Sequence, residues 1–268
     1  MSSTIFSIRP TPECLRAGVR IGDIGTHTSR TMMLFELREL LSADACLDRD
    51  QYKRRILDDN VLGKGTATSR RSAWQRLSEL YGIDPQIPIF RVLHRLWALD
   101  PVGRPLLALL CALARDPLLR ATAPVVLPLA PGSEVLRSTL HAAIAPGPIA
   151  RFNLATLDKI ARNTASTWLQ SGHLQGRVRK IRCRVTATAP AAAFALWLGS
   201  LEGFAGDYLL QTLWTAALDA APTRVFELAL DAKRLGLLRA VAGGGVREID
   251  VTGLDRTVGA LGLGTGSR

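Results

Sequence analysis

No segment of this sequence is apolar for long enough to cross a bilayer. The longest apolar runs, 105–114, 123–131 and 189–199, fall well short of the ~18–20 residues that a membrane-spanning helix needs. The first thirty residues hold Arg9, Arg16, Arg20 and Arg30 but no continuous apolar stretch. No secretory signal is therefore expected, no membrane contact either, and the expected location is cytoplasmic. Cysteine is scarce. Cys14, Cys46, Cys111 and Cys183 occur singly, without a Cys-x-x-Cys pair or a histidine at zinc spacing, and His27, His94, His141 and His173 are equally dispersed. These spacings predict reduced, buried thiols that pack as small hydrophobes, with no metal site and no cofactor. Aromatic residues make up only 6%. Trp74, Trp97, Trp168, Trp197 and Trp214 each fall on an apolar stripe, which predicts core positions rather than platforms for base stacking.

Catalytic signatures are missing as well. Gly63-Lys64-Gly65-Thr66 superficially resembles a P-loop, but that motif needs a glycine where Asp58 stands and Ser or Thr where Gly65 stands, and it follows a strand. Gly262, Gly264 and Gly266 leave no room for the helix that a dinucleotide-binding fingerprint opens. There is no Gly-x-Ser-x-Gly elbow, no His-Glu-x-x-His and no carboxylate pair within an apolar run. A non-catalytic protein is expected.

What the chain does carry is positive charge and enough apolar content for a core. Its 268 residues include 34 Lys+Arg against 23 Asp+Glu, a net charge of +11, and 47% are hydrophobic. At ~100–200 residues per domain the length predicts two domains. Residues 1–30, with Pro10, Pro12, Gly18, Gly22 and Gly25, read as a leader lying over the surface or partly disordered. Helical spacing then begins near Thr31 and runs from Met32 to Leu41. A second helix follows from Asp48, and a third, capped by Thr66 or Thr68, runs to Gly82. Two apolar helices over 89–99 and 105–115 come next, the second apolar nearly all round and so central. Prolines at 117, 124, 128, 131, 146 and 148 break the pattern except for a short helix over 134–144, and a domain boundary is expected near Pro146-Gly147-Pro148.

Beyond that boundary Leu154, Leu157, Ile160, Ala161, Thr164, Ala165, Trp168 and Leu169 recur at helical spacing up to Gly172. Two strands follow over 174–178 and 181–188, in which Ile181, Cys183 and Val185 alternate with Arg182, Arg184 and Thr186. A helix followed by a hairpin is the outline of a winged helix-turn-helix. Helices over 191–201, 206–218 and 223–235 lead to a second hairpin, 237–241 and 246–251, joined through Gly243-Gly244-Gly245. The expected fold is thus mainly α. Leader 1–30 precedes an N-terminal helical domain over 31–146, then a C-terminal winged-helix-type domain with short β-hairpins over 149–254 and a flexible tail over 255–268.

The charge is concentrated. Between Arg151 and Arg184 eight basic residues face one acid, Asp158, so this segment is +7 while the other 234 residues carry 26 − 22 = +4. Such density suits a phosphate backbone. The apolar stripe of the 154–170 helix leaves Lys159, Arg162, Asn163, Ser166, Thr167 and Gln170 facing outward, and the hairpin adds Arg177, Arg179, Lys180, Arg182 and Arg184. Lys and Arg neutralise phosphates, while Asn, Gln, Ser and Thr can bond phosphates or base edges. Asp158 is expected to interact with the helix N-terminus or with Arg162, and His173 to occupy a turn. A weaker second cluster includes Lys64, Arg70 and Arg71, interleaved with acids and expected mainly as a solvated, ion-paired face.

Three segments carry a family resemblance: Arg30-Thr-Met-Met-Leu-x-Glu-Leu, Asp59-Asn60-Val61-Leu62-Gly63-Lys64-x-Thr66-x-Thr68-x-Arg70-Arg71, and Trp168-x-Gln170-Ser171-Gly172-His173-Leu174-x-Gly176-Arg177-Val178-x-Lys180. Over roughly residues 30–252 the chain resembles BrxA, the small component of bacterial BREX phage-defence systems. The resemblance implies an N-terminal part comparable to the RNA-binding antiterminator NusB, winged-helix character and DNA binding. It also implies a methyltransferase, a phosphatase-like protein and an ATPase of the defence system as partners, and no catalytic residues. The expected function is accordingly a non-catalytic, duplex-DNA-binding defence component. RNA binding through the N-terminal helices and a scaffold docking acidic partner proteins are the competing expectations.

Overall fold

In the computed structural model, residues 3–42, 46–145, 152–243 and 246–255 are described. Capping chemistry sets most helix boundaries. Thr11 caps α1 (Pro12–Ala17). Asp48 and Gln51 form a capping box on α3 (Arg49–Leu57), which follows α2 (Leu34–Leu40). Thr66 and Ser69 do the same for α4 (Ala67–Tyr81), which stops at Gly82 in the left-handed region that glycine favours. Prolines open α5 (Pro88–Leu99) and α6 (Arg104–Arg115), using the first-turn positions where a missing N–H costs nothing. The same rule explains α7 (Pro117–Ala121) and α8 (Ala123–Val126), short helices where the prolines led us to expect broken chain. After α9 (Arg137–Ile144), Asn153 caps α10 (Leu154–Gln170), which has the bounds its periodicity predicts. A hairpin of β1 (Leu174–Gln175) and β2 (Ile181–Arg182) precedes α11 (Ala189–Leu201), capped by Thr188. The predicted 206–218 helix is instead a 3-10 turn, Gly206–Gln211, and α12 (Leu213–Ala216), because Thr212 takes an extended conformation and caps α12. The chain then forms α13 (Pro222–Arg234) and the antiparallel pair β3 (Arg239–Gly243) and β4 (Val246–Asp250).

The core is one apolar cluster. Every residue of α6 from Leu106 to Ala114 is buried, as are Pro190 to Gly199 of α11. α6 packs against α4, α5, α7, α10 and α11, and α11 also packs on α5 and α13. The apolar cluster therefore runs through helices on both sides of the expected boundary, and Pro146-Gly147-Pro148 itself lies outside the described residues. Trp74, Trp97, Trp168, Trp197 and Trp214 are all buried. Cys14 and Cys111 are buried and Cys183 half-buried, but Cys46, in the connection before α3, is exposed rather than packed. Among the described residues no helix is long and apolar enough to cross a membrane.

The leader differs most from expectation. It is folded into the molecule, with Cys14, Ala17, Val19, Thr26 and His27 buried. Thr11 Oγ1 donates to Leu201 O at 2.5 Å and the Arg9 N–H to Glu202 at 2.9 Å. Arg115 donates to Glu79 O and Gly18 O, so one guanidinium ties the end of α4 to the leader. Met32 precedes α2 rather than belonging to it, since its N–H is bonded to Thr167 Oγ1 and Met33 has φ 53°. At the other end Asp255 pairs with Arg91 at 2.9 Å. The rest of the expected tail, 256–268, and Gly244-Gly245 of the glycine turn lie outside the described residues.

The leader is held at Asp116, the cap of α7. Its Oδ1 accepts the N–H groups of Leu118 and Leu119, and its Oδ2 accepts the His27 N–H at 3.0 Å and lies 2.8 Å from His27 Nδ1. Burial alone would raise this carboxyl, but His27 and the backbone donors outweigh it and hold its pKa at about 2. A Cβ on Gly25 would sit 2.0 Å from Asp116 Oδ1. Gly25→Ala should therefore destabilise the protein by about 1–3 kcal/mol, whereas Gly65→Ala, with nothing within 4 Å of the new Cβ, should stay within about 0.5 kcal/mol. Urea unfolding midpoints of the two variants check both values.

Candidate nucleic-acid interface

The basic segment is built on a small mixed unit. The 132–135 segment pairs with β2: Gly132 N–H donates to Arg182 O, Arg182 N–H to Ser133 O, and Val135 N–H to Lys180 O, at 2.8–2.9 Å. β2 pairs with β1 on its other side, Leu174 facing Arg182 and Gln175 facing Ile181. α9 and α10 pack together, and α10 packs on β1. The strands are much shorter than 174–178 and 181–188, because the chain turns at Gly176 (φ 94°) and its last bond to β1's side is Cys183 N–H to His173 O at 2.8 Å.

Between α10 and the hairpin turn lies a cleft of about 510 Å³ lined by Glu134, Arg137, Arg162, Ser166, Arg177 and Lys180. Lys159, Arg162 and Arg177 are exposed, and none has an ion-pair partner among the described residues. Arg162 is left free because Asp158, its expected partner, instead lies 3.0 Å from His141 Nε2 and 3.8 Å from Arg137 of α9. Lys180 turns its ammonium back onto Gly176 O and Arg177 O at 2.7 and 3.0 Å, and Arg179 is paired with Glu134 at 2.6 Å. Sequence reasoning missed Arg137: it stands in a short helix between prolines, where only its proximity in space to Arg162 reveals it.

The rest of the expected outward face is not outward. Thr167 is fully buried, its Oγ1 accepting the Met32 N–H at 2.9 Å and lying 2.8 Å from His27 Nε2. Asn163 donates to His27 O and Gln170 accepts the Leu34 N–H. Residues 163, 167 and 170 form one helical stripe, covered by His27 of the leader, by Met32 and by Leu34 at the start of α2. Arg182 is a second correction. It is buried, paired with Asp219 and bonded to Val126 O and Leu127 O, because the face of β2 that carries its side chain is covered by the 126–127 segment and the α12–α13 connection. Arg184 is exposed but lines a different cleft, with Arg182, Asp219 and Pro222. Around α4, Lys64 pairs with Glu36 at 2.9 Å, Arg70 is half-buried and Arg71 exposed; none of them lines the α10 cleft.

His173 is buried beneath this unit, between Ser171 Oγ and Ala217 O at 2.9 Å each and edge-on to Trp168, so it does not face a phosphate. Burial lowers its pKa to about 4, a shift that Asp219 nearby only partly opposes. Among the described residues no group of His, Cys, Asp or Glu side chains is placed to hold a metal ion.

Two outcomes follow from these placements. Arg182→Ala should cost about 3–5 kcal/mol by leaving Asp219 buried beside no cation, while Arg177→Ala should change stability by less than about 0.5 kcal/mol; thermal and urea unfolding separate them. Because His173 binds its proton more weakly folded (about 4) than at its ordinary value of 6.5, its contribution is complete above pH 6.5. It is lost as pH falls towards 4 and amounts to about 3 kcal/mol. Unfolding free energies measured between pH 7 and 4 should fall, and His173→Gln should flatten that part of the curve.

No family model matches this chain, and no curated protein matches its sequence.

Proposed function

We propose that this protein binds duplex DNA, without catalysing a reaction, by setting α10 and the β1–β2 turn against the phosphate backbone. The observation that carries the reading is the set of exposed cations without acidic partners among the described residues, Lys159, Arg162 and Arg177, two of which line one cleft. Free cations release condensed counterions when they meet phosphates, whereas paired ones first have to give up a partner. The order of elements supports a winged helix-turn-helix: helices α7 and α8, the 132–135 segment, α9, α10, then a hairpin whose second strand lies centrally. α10 corresponds to the recognition helix and the 176–180 turn to the wing.

With Asn163 and Thr167 committed to His27 of the leader and Gln170 to the start of α2, α10 keeps Lys159, Arg162 and Ser166 for the ligand, which is phosphate chemistry more than base readout. The resemblance to BrxA supports service in a BREX-type defence complex, with its methyltransferase, phosphatase-like protein and ATPase as partners and the cytoplasm as the location. The NusB-like character of the N-terminal helices belongs to the same proposal.

Salt titration tests the reading. Replacing Lys159, Arg162 and Arg177 together with Ala should make the slope of log K against log salt shallower by about 0.9 for each phosphate contact removed, about 2–3 in all. Failure of the unaltered protein to shift a duplex at low salt, or an unchanged slope in the triple variant, overturns it.

A further inference from the structure

The tip of the β1–β2 turn has a construction that phosphate binding alone does not require. Gly176 takes φ 94° and approaches the far side of the turn so closely that a Cβ there would stand 2.2 Å from Arg179 O. Lys180 Nζ bonds Gly176 O and Arg177 O from within. Arg179 is neutralised by Glu134 through two hydrogen bonds of 2.8 and 2.6 Å. The turn is thus tight and internally tied, with two of its three cationic side chains already engaged. It presents one free guanidinium, Arg177, beside an aliphatic side chain that is 91% exposed, Val178. Isolated exposed aliphatics are ordinary on protein surfaces. What sets this one apart is that a braced turn holds it beside the unpaired cation at the rim of the α10 cleft, which both residues line.

From this geometry we infer that Arg177 and Val178 form a minor-groove reader whose preferred ligand is A·T-rich duplex. The inference rests on the DNA-binding reading above. A minor groove about 6 Å wide excludes a helix but admits the tip of a tight turn. In narrow A·T tracts its negative potential attracts an inserted arginine. A small aliphatic beside that arginine packs against the deoxyribose walls, and the guanine 2-amino group, which projects into the groove of G·C pairs, obstructs both. The covered stripe of α10 complements this assignment: the helix has lost the amide side chains that would read the major groove, so base discrimination falls to the turn.

The experiment measures affinity at one fixed salt concentration for three duplexes of equal length: an A·T tract, a G·C sequence, and the same G·C sequence with inosine replacing guanine. The inosine duplex lacks the 2-amino group in the minor groove and leaves the major-groove hydrogen-bonding edge as it was. The protein should bind the A·T duplex about tenfold more tightly than the G·C duplex, with inosine restoring most of the difference. Arg177→Ala and Val178→Ser, both exposed positions, should each shrink that ratio towards one, while Arg162→Ala should weaken binding to all three duplexes alike. Equal binding to the three duplexes, or a preference that survives both turn substitutions, overturns the minor-groove assignment and leaves the DNA-binding reading standing. Absence of binding to every duplex overturns both.

Discussion

The fold depends on one buried carboxylate. Asp116 sits where α6 ends and α7 begins, and it is satisfied by four contacts: the N–H groups that open α7, the His27 N–H and the His27 ring. A buried charge without such partners would be untenable, so the leader has to reach Asp116 and has to bring His27 with it. Gly25 is what allows the close approach, since any Cβ there would overlap the carboxylate. The far side of the same imidazole meets Thr167 of α10. One polar chain therefore joins three segments that lie far apart in sequence, through the middle of an otherwise apolar cluster.

That chain also decides what α10 can offer a ligand. A helix has a limited circumference, and α10 uses three of its faces for different ends. The stripe through Ile160, Ala161, Thr164 and Trp168 enters the core. The stripe through Asn163, Thr167 and Gln170 carries the leader and the start of α2. Arg162 and Ser166 line the cleft together with Ala161 and Ala165, and Lys159 is exposed beside them. The arginines of the hairpin are divided in the same manner. Arg182 is a structural cation held by Asp219, Arg179 is a surface ion pair, Arg184 looks into another cleft, and Arg177 has no ion-pair partner among the described residues and lines the cleft beside α10. A segment of high positive charge thus presents, among the described residues, far fewer free cations than its composition implies.

Local signals were legible where they act over a few residues. The bounds of α10, the capping of α4 by Thr66, the end of α4 at Gly82 and the buried tryptophans follow from periodicity and cap chemistry that short peptides share. Local reasoning faltered where long-range partners intervene. Proline spacing pointed to broken chain over 117–131, yet prolines at first-turn positions open two helices there. Alternation placed Arg182 outward, yet Asp219 and the 126–127 carbonyls cover the face of β2 on which it stands. The leader's glycines and prolines resembled those of a loose segment because nothing in residues 1–30 announces Asp116 or Thr167.

Sequence alone determined that the chain is mainly helical, that α6 and α11 are buried, and that positive charge gathers between residues 151 and 184, since these depend on propensity, hydrophobic period and composition. Tertiary structure alone decided which of those charges are free. An arginine's availability depends on whether a carboxylate or a carbonyl from a distant segment lies within a few ångströms, and that distance is set only when the leader, β2 and the α12–α13 connection come together around α10.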